Sequence, residues 1–175
     1  MIWHLPAFGR QELWHLKLVE WKMAEEFQPK IIAFLCTWWA YAAAYLAGVS
    51  RMQYSPTVRT IRVMCSGTIS PHYILKALQA GADGVFVAGW RLGECHYQSG
   101  NLMAKKRMTF LQKLLEFSGI HPERIRMRWV SSAEAVEFVH EISEFVEDVK
   151  KLGPNPLKEK RAAWKDYESK NKRTH

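Results

Sequence analysis

Short strand-like runs alternate four times with helix-forming segments, and this alternation constrains the fold more than any other feature of the sequence. The runs are residues 30–35 (KIIAFL), 60–64 (TIRVM), 84–88 (GVFVA) and 124–130 (RIRMRWV). Because a helix follows each run, the strands are expected to lie parallel, with right-handed crossovers. The sequence therefore predicts an α/β fold: a four-stranded parallel sheet with helices on both faces, flavodoxin-like or Rossmann-like.

The first two helices carry recognisable end signals. Residues 39–47 are rich in alanine, and Gly48 is expected to end that helix. Ser70 followed by Pro71 is typical of an N-cap with proline at the first helical position. Gly81 is expected to end this second helix.

The last two helices are predicted in the same way. Residues 101–117 carry apolar residues at helical spacing and stop near Gly119. Ser131 and Glu134 have the spacing of a capping box, in which each residue caps the other's backbone N–H. The last helix is expected to run to about residue 151.

This pattern divides the chain into three regions: an N-terminal extension (1–29), the α/β domain (30–153) and a basic C-terminal tail (154–175). Trp14, Leu18 and Trp21 fall at helical spacing and predict a short helix that docks on this protein or on a partner. Exposed tryptophans are typical of interfaces, so we expect the extension and the tail to clasp partner subunits.

Composition narrows the class of protein. The net charge of +8 favours acidic partners, either protein or nucleic acid. No nucleic-acid-binding module is visible, and neither is a Gly-rich phosphate loop or a Ser/His/Asp arrangement, so nucleic-acid binding and a substrate site of its own are not expected. No apolar run reaches the roughly 18 residues of a membrane span, and no secretory signal pattern is visible, so we expect a cytoplasmic protein.

Three cysteines fall at equivalent places in the predicted sheet. Cys36 and Cys65 directly follow the first and second predicted strands, and Cys95 lies in the loop after the third. A single cysteine is more often a small buried apolar residue than a ligand. Because the carboxyl ends of parallel strands meet at one edge, three such cysteines favour a shared thiolate site there.

The loops beside these cysteines suit a thiolate site. Cys65 is followed by Ser66 and Gly67, whose backbone N–H groups lie beside the sulfur, and residues 89–100 bring Arg91, Glu94 and His96 near Cys95. Positive charge and N–H donors stabilise thiolates and tune metal–sulfur clusters. His96 alone is more often structural than a ligand.

Five stretches of the sequence resemble the delta subunit of methyl-viologen-reducing hydrogenases. They are FLCTWWAYAAAYLAGVSR (34–51), YSPTVRTIRVMCSG (54–67), ILKALQAGADGVFVAGW (74–90), GECHYQSGN (93–101) and RMRWVSSAEAVEF (126–138). The resemblance covers about residues 30–154, and Cys-Ser-Gly, Gly-Glu-Cys-His-Tyr and Trp-Val-Ser stand in the family's order and spacing.

The resemblance implies an electron-transfer protein that holds a [2Fe–2S] cluster. Such a protein passes electrons between a hydrogenase or formate dehydrogenase module and the flavin subunit of heterodisulfide reductase. Cys36, Cys65 and Cys95 match family cysteines and would be metal ligands. The family has two further cysteines where this sequence has Trp39 and Trp90. Because an indole nitrogen is only a donor, a four-cysteine cluster cannot form from this sequence as written.

Three interpretations of the two tryptophans stay open. In the first, the cluster is kept by three cysteines and a substitute ligand such as His96. In the second, the cluster is lost and the chain is a structural adaptor of the same kind of complex. In the third, Trp39 and Trp90 stand for selenocysteine, since some translations render its UGA codon as tryptophan. A UGG codon at both positions would exclude the third.

Overall fold

The computed structural model describes residues 27–158 of the 175-residue chain. The predictions for the helix before residue 27 and for the tail beyond residue 158 lie outside the described residues. The described elements follow in the predicted order: β1 (Ile31–Cys36), α1 (Ala40–Val49), β2 (Val58–Val63), α2 (Pro71–Ala80), β3 (Gly84–Gly89), α3 (Gly100–Phe117), β4 (Ile125–Trp129) and α4 (Ala135–Leu152).

The four strands form one sheet in the order β2-β1-β3-β4, and every neighbouring pair is parallel. This confirms the predicted α/β fold. Because β2 and β3 lie on opposite sides of β1, the winding of the chain reverses between β1 and β3. In open α/β sheets, such a reversal opens a crevice at the carboxyl ends of the two strands, where sites are commonly built.

Helices cover both faces of the sheet, two on each. On one face α1 and α4 pack against alternate residues of β1, among them Ile31 and Leu35. On the other face α2 and α3 pack against Phe34 of β1 and against Val85 and Val87 of β3. Successive side chains of a strand point to opposite faces, so a central strand such as β1 contributes to both layers of the core.

The ends of α2 are as predicted, whereas the predicted end of α1 is wrong. Ser70 Oγ accepts a hydrogen bond from the N–H of His72 at 3.3 Å, and Gly81 adopts a left-handed conformation with φ of 106°. Gly48, however, lies inside α1, and Arg51 takes the left-handed conformation instead, with φ of 58°. The N–H of Arg51 donates to the carbonyl of Gly48 at 3.0 Å, which closes the helix three residues later than expected.

The capping box predicted before α4 forms only in part. Glu134 Oε2 accepts from the N–H of Ser131 at 2.8 Å. The reciprocal bond runs from the Glu134 N–H to the Ser131 backbone carbonyl at 3.1 Å and not to the hydroxyl. Residues 131–134 therefore form a turn, and α4 begins at Ala135.

A buried polar network fastens the amino edge of the sheet, opposite the cysteines. Asp83 is fully buried and accepts from the N–H groups of Lys30 and Asn155, each at 2.9 Å, and from the ammonium of Lys158. The guanidinium of Arg124, only 1% exposed, donates to four backbone carbonyls. These belong to Asp83, Leu152, Gly153 and Pro154. The network ties the C-terminal end of α4 to the start of β3.

Among residues 27–158, no helix is both long enough and apolar enough to cross a membrane.

Candidate functional site

The structure brings the three cysteines to the carboxyl edge of the sheet. Cys36 is the last residue of β1, Cys65 lies two residues after β2, and Cys95 lies in the loop between β3 and α3. The sulfurs of Cys65 and Cys95 are 3.7 Å apart. Cys36 and Cys65 are buried, and Cys95 is half-buried. Three strand ends thus contribute sulfur to one edge.

Two glycines allow Cys65 and Cys95 to approach each other. A Cβ on Gly100, the first residue of α3, would overlap the sulfur of Cys65 and lie 3.3 Å from that of Cys95. A Cβ on Gly67 would lie 2.6 Å from the Cα of Gly100. The sequence indicated Gly67 for its backbone N–H, but it gave no reason to single out Gly100. The sulfur pair therefore depends on the absence of two side chains.

The two paired sulfurs have different acidities. Burial raises the pKa of the Cys65 thiol, although the Gly67 N–H, 3.3 Å from its sulfur, acts in the opposite direction. Burial also acts to raise the pKa of Cys95, but hydrogen bonds from the backbone of Tyr97, Asn101 and Gly100 and from the Cys65 thiol outweigh it. The pKa of Cys95 therefore falls below its ordinary value. Of the two sulfurs, Cys95, just before the N-terminus of α3, is therefore the one that loses its proton more readily.

The pKa of Cys36, like that of Cys65, lies above the ordinary value of a thiol. Burial raises the pKa of its thiol, and the backbone N–H groups at the start of α1, from Ala40 and Trp39 among others, only partly oppose this. A charge on Cys95 raises it further, since two neighbouring thiolates repel each other. Without a cation, Cys36 is therefore a neutral thiol beside the Cys65–Cys95 pair.

Trp39 and Trp90 stack face to face, with ring centroids 3.8 Å apart and planes 19° from parallel. Trp39 precedes α1 and Trp90 follows β3, so the stack bridges the two strand ends where the winding reverses. The indole N–H of Trp39 is buried and has no hydrogen-bond partner among the described residues. The two positions at which the resemblance implied cysteine are therefore adjacent in space, and their indole side chains supply no ligand atom.

The contacts of the His96 ring are with aromatic side chains. Its ring is exposed and stacks on Trp38 at a centroid distance of 4.2 Å, and the Trp38 indole donates to the hydroxyl of Tyr97 at 3.3 Å. Within residues 27–158, no group of three His, Cys, Asp or Glu side chains is placed to hold a metal ion. The described donor set therefore does not fit a cluster that needs four protein ligands, and His96 does not complete it in this arrangement.

Polar side chains that the sequence did not indicate hold the loops of the site. Arg107 of α3 donates to the carbonyl of Gly67 at 2.6 Å and so fixes the turn after Cys65. The side-chain amide of Asn101 donates to the carbonyls of Trp90 and Arg91, at 3.1 and 2.5 Å. Nothing in the sequence pattern distinguished Arg107 from the other basic residues of α3. Arg91, which we expected beside the thiolates, instead pairs with Glu134 at 2.7 Å.

The sulfur pair lies close to the protein surface. A shallow cavity of about 370 Å³ opens onto Cys65 between Met64, Tyr97 and Met103. These three side chains are between 43% and 57% exposed. A partner that docks over this apolar rim would come close to the sulfur of Cys65.

Comparison with known proteins agrees with this architecture. The family model described as methyl-viologen-reducing hydrogenase, delta subunit, matches residues 31–153, which include all four strands and all three cysteines. The chain is 47% identical over 132 residues to an iron-sulfur subunit of the F420-non-reducing hydrogenase of Archaeoglobus profundus. That alignment covers 75% of this chain and 96% of the relative.

Two further relatives share the same region. The vhu iron-sulfur subunit of the F420-non-reducing hydrogenase of Methanocaldococcus jannaschii is 51% identical over 130 residues, which are 74% of this chain and 97% of the relative. One subunit of the ferredoxin/F(420)H(2)-dependent CoB-CoM heterodisulfide reductase of Methanosarcina acetivorans is 48% identical over 126 residues. These are 72% of this chain but only 16% of that longer protein. The chain therefore belongs to the methyl-viologen-reducing hydrogenase delta subunit family.

Proposed function

We propose that this chain is an electron-transfer subunit of a multi-subunit oxidoreductase. Its partners in the proposal are hydrogenase- or dehydrogenase-type subunits and a heterodisulfide reductase-type flavin subunit. Relatives named as hydrogenase iron-sulfur subunits and as part of a heterodisulfide reductase support this. The main structural observation in its favour is that the sulfurs of Cys65 and Cys95 lie 3.7 Å apart near the surface. Cys36 lies at the end of the neighbouring strand.

The ligands that this chain would offer to an iron–sulfur group are Cys36, Cys65 and Cys95. Thiolates are soft ligands that suit iron–sulfur clusters, and the N–H groups around Cys95 are of the kind that tunes such clusters. A [2Fe–2S] cluster with four protein ligands needs one more than these three. Selenocysteine in place of Trp39 and Trp90 would supply it, because both positions adjoin the sulfurs' edge of the sheet.

The proposal is tested on the complex purified without oxygen, by measuring iron and acid-labile sulfide per chain. Cys65→Ser replaces a soft ligand by a hydroxyl, so we expect it to abolish the EPR signal of the reduced cluster and the flow of electrons, while assembly survives. Thr60→Ser is the control, since it introduces the same serine side chain at an exposed position in the middle of β2 and leaves every cysteine in place. Undiminished electron flow in Cys65→Ser, with no iron in the wild-type chain, would exclude the relay.

The second candidate is a structural adaptor without a cluster, in the same kind of complex. The stacked Trp39–Trp90 pair favours it, because two aromatic rings fill the family's cysteine positions with an apolar contact. This candidate predicts no iron, UGG codons at positions 39 and 90, and a Cys65→Ser complex that assembles and works as the wild type does. Iron and sulfide in stoichiometric amounts would exclude it.

A further inference from the structure

A groove runs between the edge strand β2 and helix α2, and we call it the edge groove. The pairing of Phe34 with Ile61 places both residues on one face of the sheet, where they form the floor together with Ile32. Tyr73 and Ala77 of α2 form the wall. The groove has a volume of about 1280 Å³, and no element among residues 27–158 covers it.

The edge groove exposes apolar side chains that a parallel sheet normally buries. Ile61 is 43% exposed and Tyr73 is 54% exposed. Strands of parallel sheets are usually covered on both faces, and an uncovered apolar edge strand is a site of association. The exposed groove is therefore a candidate docking surface.

The rim of the edge groove is basic. Lys30, Arg59, Lys76 and Lys158 line it, and within residues 27–158 no Asp or Glu side chain does. Lys158 pairs with the buried Asp83 beneath the groove. A suitable occupant therefore has an apolar stripe for the floor and acidic side chains for the rim.

The N-terminal segment, residues 1–26, is a candidate for this occupant, because the residues that follow it lie beside the groove. Gln28 lines the groove, and the Lys158 ammonium lies 5.9 Å from the centre of the Phe27 ring. Residues 1–26 therefore join the described chain at Phe27, at the amino end of the groove. Such a tether gives an effective concentration on the order of millimolar or higher.

The sequence of that segment matches the groove in pattern and length, and its charge is nearly balanced, with four Glu against three Lys or Arg in residues 1–26. Trp14, Leu18 and Trp21 fall at helical spacing, and Glu25 and Glu26 stand directly before Phe27, at the basic end. A helix over residues 12–26 would be about 22 Å long. The six residues of β2 span about 20 Å, so a helix of this length would run along the strand.

We propose that residues 1–26 fold back onto their own chain and place the stripe of Trp14, Leu18 and Trp21 in the edge groove. The sequence alone led us to expect that this segment clasps partner subunits, whereas the groove favours docking on its own chain. The segment then covers the apolar edge of the sheet, and partner subunits meet it as part of this protein's own surface.

Hydrogen–deuterium exchange on the isolated full-length chain tests the proposal. We expect the amides of residues 12–24 to be protected in the wild type. Ile61→Gln is expected to speed their exchange about ten-fold, because it replaces the apolar floor by an amide at an already exposed position. Thr60→Gln is the matched control: it introduces the same side chain one residue earlier on the same strand, on the opposite face, and should leave protection unchanged.

A second variant changes the N-terminal segment itself and leaves the groove unchanged. Leu18→Gln should lose the same protection as Ile61→Gln while β2 and the core stay protected. Protection that persists in Ile61→Gln would place the segment elsewhere and overturn the proposal. A segment that exchanges freely in the isolated chain and becomes protected only in the assembled complex would show docking on a partner, and would overturn it equally.

Discussion

The Cys65–Cys95 pair depends on its neighbours' backbones and on side chains that are absent. Gly67 and Gly100 leave room for the two sulfurs, since a Cβ at Gly100 would overlap Cys65. The same backbone segments direct their N–H groups at the sulfurs, and the hydrogen bonds to Cys95 outweigh the effect of burial on its pKa. Close packing and thiolate stabilisation are thus produced by the same few residues.

The difference in acidity predicts the order in which the cysteines react. At neutral pH in the reduced, iron-free chain, iodoacetamide should modify Cys95 first, because its pKa is lowered and its side chain is half-buried. Cys65 and Cys36 should follow only at higher pH, because burial raises the pKa of both. Mass spectrometry of the modified peptides over a pH series measures this order.

A variant checks the cause of that order. Cys65→Ala removes a hydrogen bond that lowers the pKa of Cys95, so the pH at which Cys95 is half-modified should rise. If the pH for Cys95 stays the same in Cys65→Ala, the thiol of Cys65 does not stabilise the thiolate.

Gly100→Ala should break the sulfur pair at a cost in stability. The added methyl group meets the sulfur of Cys65, and overpacking of this kind costs about 1–3 kcal/mol in the free energy of unfolding. Gly48→Ala is the matched control, because its Cβ meets nothing within 4 Å and it lies inside α1. That change should stabilise the protein by about 0.5–1 kcal/mol. Denaturant unfolding of both variants measures the change in the free energy of unfolding, which should be a loss for Gly100→Ala and a gain for Gly48→Ala. A stabilised Gly100→Ala would contradict the packing around Cys65.

The sequence pattern predicted where the cysteine sulfurs lie, but not which side chains hold the loops around them. The positions of Cys36 and Cys65 at strand ends and of Cys95 in the loop after β3 were enough to predict one edge, because parallel topology brings strand ends together. Arg107 carries no such signal, since its bond to the Gly67 carbonyl joins residues 40 positions apart. The engagement of His96 with Trp38 likewise arises from how two loops pack, which local sequence does not encode.

At the scale of elements, strands and helices were predictable because apolar runs and end residues coincide. Ser70, Pro71 and Gly81 each act locally, and α2 begins and ends where they predict. Gly48 shows the limit of such reasoning. Met52 and Tyr54 pack on the core beyond it, so tertiary contacts favour a later closure of α1 at Arg51.

At the scale of elements, Arg124 is the residue whose structural role the sequence indicated least. The sequence predicted a strand over residues 124–130 that begins with Arg124. In the structure Arg124 lies in a short turn before β4 and is 1% exposed. Its guanidinium satisfies the carbonyls at the end of α4, which have no partner within their own helix. This one side chain therefore links the C-terminal end of α4 to the segments that precede β3 and β4.

Arg124→Lys should destabilise the fold by about 2–3 kcal/mol, because a single ammonium cannot reach four carbonyls and buried acceptors are left unpaired. Arg128→Lys is the control: Arg128 is 40% exposed and pairs with Glu141, so its change should stay within about 1 kcal/mol. Thermal and denaturant unfolding of the two variants measure the difference. Equal losses would mean that Arg124 does not act as a clamp.

At the scale of the whole molecule, stability and chemistry are placed at opposite edges of one sheet. The amino edge holds the buried network of Asp83, Arg124 and Asn155. The carboxyl edge holds Cys36, Cys65 and Cys95, with the exposed apolar rim around them. Substitutions in the loops of the carboxyl edge should therefore leave intact the contacts at the amino edge that hold the layers together.

This separation predicts that the two edges respond independently to mutation. Asn155 is 1% exposed, and its side-chain amide donates to the carbonyls of Leu78 and Ala82, at 2.9 and 2.6 Å. Asn155→Ala leaves those buried acceptors unpaired and should lower the free energy of unfolding by about 1–3 kcal/mol. Below the unfolding temperature, the order and pH dependence of cysteine modification should match those of the wild type.

Cys65→Ser is the reciprocal variant. Its small change of side chain should leave the unfolding transition within about 1 kcal/mol of the wild type, as for most substitutions that create no cavity. The pH dependence of Cys95 modification should nevertheless shift, because the group that donates to its sulfur has changed. If Asn155→Ala alters the reactivity of Cys95 in the folded state, the two edges are coupled through β3, the strand that begins beside Asp83 and ends beside Trp90. If it does not, the sheet is a rigid support whose carboxyl edge can be altered while the fold stays intact.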